Sequence, residues 1–90
     1  MRFEWDPRKA AANLKKHGVT FQEAATVFGD PLAITFQDPD HSEEEERQMT
    51  YGLSQQMRLI VVSHTQRIDQ MRIINARLMD RKERVIYEEG

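Results

Sequence analysis

The sequence predicts an α+β fold in which two N-terminal helices pack on a curved, mainly antiparallel β-sheet and a further helix ends the chain. Two features predict it. Apolar residues recur at helical spacing as far as Phe28, then alternate with polar ones from Leu32 onward. The connections between the alternating segments are short, which favours an antiparallel meander.

Arg2 to Trp5 is a short strand candidate. Asp6-Pro7 then opens a helix, with Asp6 as N-cap and Pro7 at the tolerated first position, and Gly18 closes it as a left-handed cap. Ala10, Ala11, Leu14 and His17 form its predicted core face, and Lys9, Asn13 and Lys16 a second face. Thr20-Phe21-Gln22-Glu23 is a capping box that starts a second helix, whose core stripe is Phe21, Ala24, Ala25 and Phe28 and whose end is Gly29-Asp30-Pro31. Leu32, Ile34 and Phe36 line one side of a half-buried strand; Arg47, Met49, Tyr51 and Leu53 line one side of the next. Leu59 to Val62 is apolar on both faces and belongs in the sheet's interior. A turn over Thr65 to Asp69 leads into a strand over Met71 to Arg77. Asp80-Arg81-Lys82-Glu83 has the form of another capping box, although a start as early as Ala76 is compatible with the pattern.

Residues 1–90 are read as a single domain, since the chain is 90 residues long. Apolar residues make up 39% and charged ones 31%, a globular rather than a disordered balance. No apolar run approaches the ~20 residues that span a membrane, and Met-Arg-Phe-Glu-Trp lacks an apolar leader centre. Without cysteine, disulfide and thiolate chemistry are excluded, which fits a cytoplasmic location. The net charge of −2 hides a polar distribution. Asp30, Asp38, Asp40 and Glu43 to Glu46 fall in a stretch with no lysine or arginine, whereas Arg58, Arg67, Arg72, Arg77, Arg81, Lys82 and Arg84 crowd the last third. A locally basic surface can bind a phosphate backbone even when the whole chain is acidic.

Phosphate-loop, HExxH, CxxC and GxSxG motifs are absent. Asp38-Pro39-Asp40-His41-Ser42-Glu43 has hard ligands but no metal-loop spacing, so it is read as a solvated acidic loop, with no metal or cofactor expected. His17 reads as a packed helix C-terminal residue. His64 reads as a hydrogen-bonded structural histidine or, if it titrates near neutrality, a general base. Arg72 and Arg77 lie five apart on one strand, so they leave opposite faces if it is regular. Arg77, Arg81 and Arg84 share one side if the last helix begins at Ala76. Arg72 alternates with Ile74 and Ala76, and a guanidinium on such a partly apolar face needs a partner, either a phosphate or Glu46, Asp69, Glu83 or Glu88.

Together these blocks resemble the BrnT family. The resemblance rests on Phe3-Glu4-Trp5-Asp6-Pro7, Lys9, Asn13, Lys16-His17-Gly18-Val19, Phe21, Ala24, Phe28 and Asp30-Pro31. It continues through Glu45-Glu46-Arg47, Gly52, Leu59 to Val62, Arg67, Arg72-Ile73-Ile74, Ala76-Arg77, Glu83-Arg84 and Tyr87. Asn75 departs from a usual serine and Gln66 from a usual glutamate. The resemblance implies a RelE-like ribonuclease toxin that cleaves RNA and inhibits translation, neutralised by a small DNA-binding, BrnA-like antitoxin through which it reaches operator DNA.

RNA cleavage by its own 2′-hydroxyl needs a base, an acid and cations on the phosphate, and no metal. Arg67, Arg72 and Arg77 are the expected cradle, converging on one phosphate-sized spot. Tyr87 or His64 are the expected proton-transfer groups, with Glu46 as a further base candidate; Tyr87 also competes for the role of aromatic anchor of its helix. Lys9, Lys16, Arg47, Arg81 and Arg84 are expected to hold the RNA backbone. The alternative is a non-catalytic module that binds nucleic acid or antitoxin.

Overall fold

A computed structural model describes residues 1–38 and 46–90. Residues 39–45, which include most of the acidic stretch and all but Asp38 of the segment considered and set aside as a metal loop, lie outside them. The strands are β1 (Phe3–Glu4), β2 (Ile34–Gln37), β3 (Gln48–Leu53), β4 (Leu59–Gln66) and β5 (Met71–Leu78). The helices are α1 (Pro7–His17), α2 (Phe21–Thr26) and α3 (Arg81–Glu89), and a 3₁₀ turn over Val27–Gly29 follows α2. The sheet order is β1-β5-β4-β3-β2. Strands β2 to β5 form the predicted antiparallel meander, with β4 in its interior, and β1 adds a parallel edge through Phe3↔Met71 and Glu4↔Arg72.

The helix boundaries follow from local chemistry. Asp6 accepts a hydrogen bond from the Arg8 N–H at 2.8 Å, and Gly18 ends α1 at φ 70°, a left-handed conformation that glycine adopts without strain. Asp80 and Glu83 make both bonds of a capping box, so α3 starts at Arg81 rather than Ala76. Only half of the first predicted capping box forms: Thr20 accepts from the Glu23 N–H at 3.0 Å, but the Glu23 carboxylate turns away to Arg58 and Ser54.

One sheet face is covered by α1 and α2, where Val19, Phe21, Ala24, Val27, Ile60, Val62, Ile73 and Ala76 form a core. At about 25 cal/mol per Å² of apolar area removed from water, this cluster is the main source of stability. The other face is covered at one end by α3, through Tyr51, Val61 and Met79 with Met49, Leu59 and Tyr87 against them. The predicted core face of α1 is displaced: Asn13 is buried, whereas Leu14 is 48% exposed. Strand β2 starts at Ile34, and Leu32 is 69% exposed, so the predicted alternation begins two residues late.

Candidate nucleic-acid interface

The most consequential local feature is a break in register between β4 and β5. Ser63 pairs with Asn75 and His64 with Ile73, so Ile74 is an extra residue in the ladder. An inserted residue reverses the alternation beyond it. Ile73 and Ala76, three apart, therefore both enter the α1–α2 core. Arg72, paired across to Thr65, and Arg77, paired across to Val61, both lie on the opposite face. This corrects the expectation of opposite faces, and it removes Arg72 from the apolar row of Ala76. Met49, Ser63 and Asn75 occupy the same face between the two arginines and are half-buried.

Sharing a face is not converging on one spot. Arg72 and Arg77 are separated by about 15 Å of strand, and each has a carboxylate partner. Arg72 Nη1 donates to Glu4 Oε2 at 3.1 Å, using one terminal nitrogen. Arg77 donates through Nη1 and Nη2 to the two Glu83 oxygens at 2.7 Å each, a bidentate fork. That pair holds the Glu83 carboxyl below the usual carboxylate range and raises Arg77. Because β5 runs on to Leu78, Arg77 does not continue a helical row with Arg81 and Arg84, which are exposed on α3. Arg67 lies in the exposed turn between β4 and β5, at the Arg72 end. The single-spot arrangement of the three arginines is thus replaced by two groups at opposite ends of the face.

The proton-transfer candidates are placed differently from each other. His64 is 1% exposed, against the Phe28 ring and hydrogen-bonded through Nε2 to Thr50 Oγ1 at 2.7 Å, itself 2.8 Å from Thr35 Oγ1. Burial lowers its pKa to about 4, which leaves it neutral at physiological pH and out of reach of a substrate. Tyr87 donates to Asp30 Oδ2 at 2.6 Å, a bond that raises its pKa to about 12 and ties α3 to the sheet. Glu46 is exposed just before β3, and its carbonyl accepts from the Thr65 hydroxyl at 2.8 Å, beside the Arg72 row. Arg47 follows it, half-buried, with its carbonyl accepting from the Asp38 N–H at 2.8 Å.

His64 makes a pH prediction. Its unfolded pKa is 6.5 and its folded one about 4, so between these values the unfolded chain holds more protons and stability falls as the pH is lowered. From pH 7.5 to 5 the expected loss is about 2 kcal/mol. Glu23, Asp30 and Glu83, whose carboxyls are held low, lose their contribution only at more acid pH. Urea unfolding at the two pH values measures the difference, and His64→Gln should flatten it. An imidazole titrating near pH 6.5 in the folded protein, followed by NMR, contradicts the assignment.

Four structural residues escaped the sequence reading. Asp30 accepts from the Leu32 and Leu53 N–H groups at 2.9 and 2.8 Å as well as from Tyr87. Glu23, 4% exposed, pairs with Arg58 and accepts from Ser54 Oγ at 2.7 Å. Asn13 bonds to the backbone of Val19 and Ala76, and Glu4 holds Arg72. Only Asp30, one residue before Pro31, carried a local signal, as a side chain that bonds backbone two residues on.

Exposed positive charge is not confined to the C-terminal third of the chain. Helix α1 carries Arg8, Lys9, Lys15 and Lys16 and no acid. Lys9, Lys16 and His17 line an open pocket of about 190 Å³ between α1 and β5, together with Ala12, Asn13, Ile74 and Asn75. Among the described residues no group of three or more His, Cys, Asp or Glu side chains could hold a metal, and no helix is long and apolar enough to cross a membrane.

An arginine-bearing sheet face beside a C-terminal helix, with a basic helix at its edge that makes no ion pair among the described residues, defines a small α+β protein with positive charge exposed on its surface. Comparison with known proteins makes the class specific. Residues 5–83 match the family described as the ribonuclease toxin, BrnT, of type II toxin–antitoxin systems, and the chain belongs to this BrnT family. The fold is similar to the 1.1 Å crystal structure of the Brucella abortus ribonuclease toxin BrnT, with a TM-score of 0.66 and 20% sequence identity, over 90% of this chain and 99% of that one. No curated protein matches by sequence. The chain is therefore a ribonuclease toxin of a type II toxin–antitoxin system, an endoribonuclease whose partner is an antitoxin.

Proposed function

We propose that residues 1–90 act as one cytoplasmic toxin domain that cleaves RNA, and so inhibits translation, by 2′-hydroxyl attack on the adjacent phosphate. The 2′ oxygen bonds to phosphorus as the P–O5′ bond breaks, leaving a 2′,3′-cyclic phosphate and a 5′-hydroxyl. Glu46 takes the 2′ proton, Arg72 and Arg67 steady the charge gathering on the phosphate, and water at the open face protonates the departing oxygen. Proton transfer of this kind contributes ~10²–10⁴-fold. The observation that carries this reading is the state of Arg72, which commits one terminal nitrogen to Glu4 and keeps its remaining donors for a phosphate. Arg77, its fork closed on Glu83, holds α3 instead. Lys9, Lys16, Arg47, Arg81 and Arg84 hold the RNA backbone. A cognate DNA-binding, BrnA-like antitoxin neutralises the toxin, and the complex reaches operator DNA and represses its own promoter only through that partner.

The internal pairing of Arg72 and Arg77 favours a second reading, a module that binds RNA or antitoxin without breaking a bond. Purified antitoxin-free protein, incubated with defined RNA with and without ribosomes, separates the two. The expected result is multiple turnover, cyclic-phosphate ends and no loss of rate in chelator. A stoichiometric complex that weakens log-linearly with salt, with RNA intact in both settings, selects the second reading.

A further inference from the structure

We propose that the pocket between α1 and β5 is a subsite for one ribonucleotide of the substrate strand, outside the cleaved linkage. This rests on the RNA reading above and extends it to where the strand leaves the open face.

Three observations carry it. The first is charge without partners. Arg58, Arg72 and Arg77 are paired with Glu23, Glu4 and Glu83, whereas Lys9 and Lys16 have no carboxylate partner among the described residues. The lysine pair has no sufficient explanation in helix stability either. Lys16 and His17 suit the C-terminal end of the macrodipole, but Lys9 stands in the first turn and opposes it. A nearby phosphate relieves that opposition.

The second observation is shape. The pocket holds about 190 Å³, a volume suited to one flat ring rather than a folded segment, and Ala12 and Ile74 make part of its lining apolar. Lys9 and Lys16 are seven residues apart, about 10 Å along the helix axis. They therefore flank the pocket rather than pinch a single point, as two backbone contacts on either side of a base would require.

The third is continuity. Ile74 is the extra residue that places Arg72 and Arg77 on one face, and the same residue lines the pocket. Asn75 bounds the pocket and occupies the row between the two arginines. Strand β1 covers β5 only at Met71 and Arg72, so beyond Arg72 a strand on the open face can pass over the β5 edge toward α1.

The test uses RNA oligonucleotides carrying a 2′-deoxy substitution at the cleaved position, which bind but cannot react, in a series lengthened one nucleotide at a time. Because it reads binding, it stands whether or not the wild-type protein cleaves. Wild type should gain affinity in a step once the strand reaches the pocket, and Lys9→Gln/Lys16→Gln should lose that step. For the longer strands, the slope of log affinity against log salt should fall by about 1.4 in the double variant, two contacts at ~0.7 each on a single strand. Both lysines are exposed, and thermal unfolding confirms that the variant is folded. A step of equal size in both proteins overturns the subsite. So does an unchanged RNA slope together with weakened antitoxin binding, which makes the pocket a protein-docking site. Absence of any RNA binding by wild type, at any length, overturns the RNA reading itself.

Discussion

Asn13→Ala should lower the stability of the folded chain by about 3 kcal/mol, a large share of the ~5–15 kcal/mol that holds a domain folded. The residue sits in the middle of α1 yet is 5% exposed. Its Nδ2 donates to the Val19 carbonyl at 3.0 Å and the Ala76 carbonyl at 2.7 Å, and its Oδ1 accepts from the Ala76 N–H at 3.1 Å. One side chain thus does for the β5 edge what another strand would do, where β1 no longer reaches. Alanine strands three backbone groups, and an unsatisfied buried group costs ~1–3 kcal/mol each. The pocket beside Asn13 lets water reach some of them, which places the sum near the lower end. Urea denaturation is the measurement, with an expected fall in midpoint of about 1–3 M at ordinary slopes. A loss below 1 kcal/mol shows that the α1–β5 clamp is dispensable. Asn13→Asp keeps the acceptor but sets a carboxylate oxygen against the Val19 and Ala76 carbonyls in a buried site, and should cost at least as much as alanine at neutral pH.

Asn13 also marks where sequence reading stops. Elements defined by chemistry within four or five residues were legible: Asp6, Pro7 and Gly18 bound α1, and Asp80 with Glu83 starts α3. The shift from helical to alternating period separated the helices from the meander, and the uninterrupted apolar run placed β4 inside it. Partnerships across the chain were not legible. Glu4 meets Arg72 from 68 residues away, through a two-residue parallel strand whose pairing no local pattern announces. Glu23 reads as the second half of a capping box until Arg58, 35 residues on, offers a stronger partner.

The register shift had the largest consequence for the site. Strict alternation sends Arg72 and Arg77 to opposite faces, and only the mismatch against Ser63 and His64 brings them to one. Charge counting had the opposite weakness. It found the arginines of the last third, and of the carboxylates that fold onto Arg72 and Arg77 the sequence named Glu83 but not Glu4. It also gave no weight to α1, whose basic residues are fewer yet make no ion pair among the described residues. Net local charge is a property of sequence; charge available to a ligand is a property of the fold.

Arg72→Ala should cost about 10²–10³-fold in kcat/KM for RNA cleavage, the loss typical of removing one preorganised donor from a developing anion. Stability should fall by only about 1 kcal/mol, because Arg72 and Glu4 are both partly solvated, with side-chain exposures of 28% and 32%. Arg77→Ala should show the reverse emphasis. It leaves the Glu83 carboxylate, 11% exposed, without its bidentate partner, and losing one member of such a pair costs about 3 kcal/mol. Activity of the Arg77 variant should then decline largely with the folded fraction, as measured by circular dichroism at the assay temperature. Glu4→Gln completes the comparison, since it keeps a hydrogen-bond acceptor for Arg72 while removing the competing charge. If Glu4 only orients Arg72, this variant should retain activity to within about tenfold, whereas losing the Arg72 guanidinium should not be rescued by any change at Glu4. Full activity in folded Arg72→Ala removes the guanidinium from the reaction, and with it the geometric argument that the open sheet face, rather than the α1 pocket, is where the bond breaks.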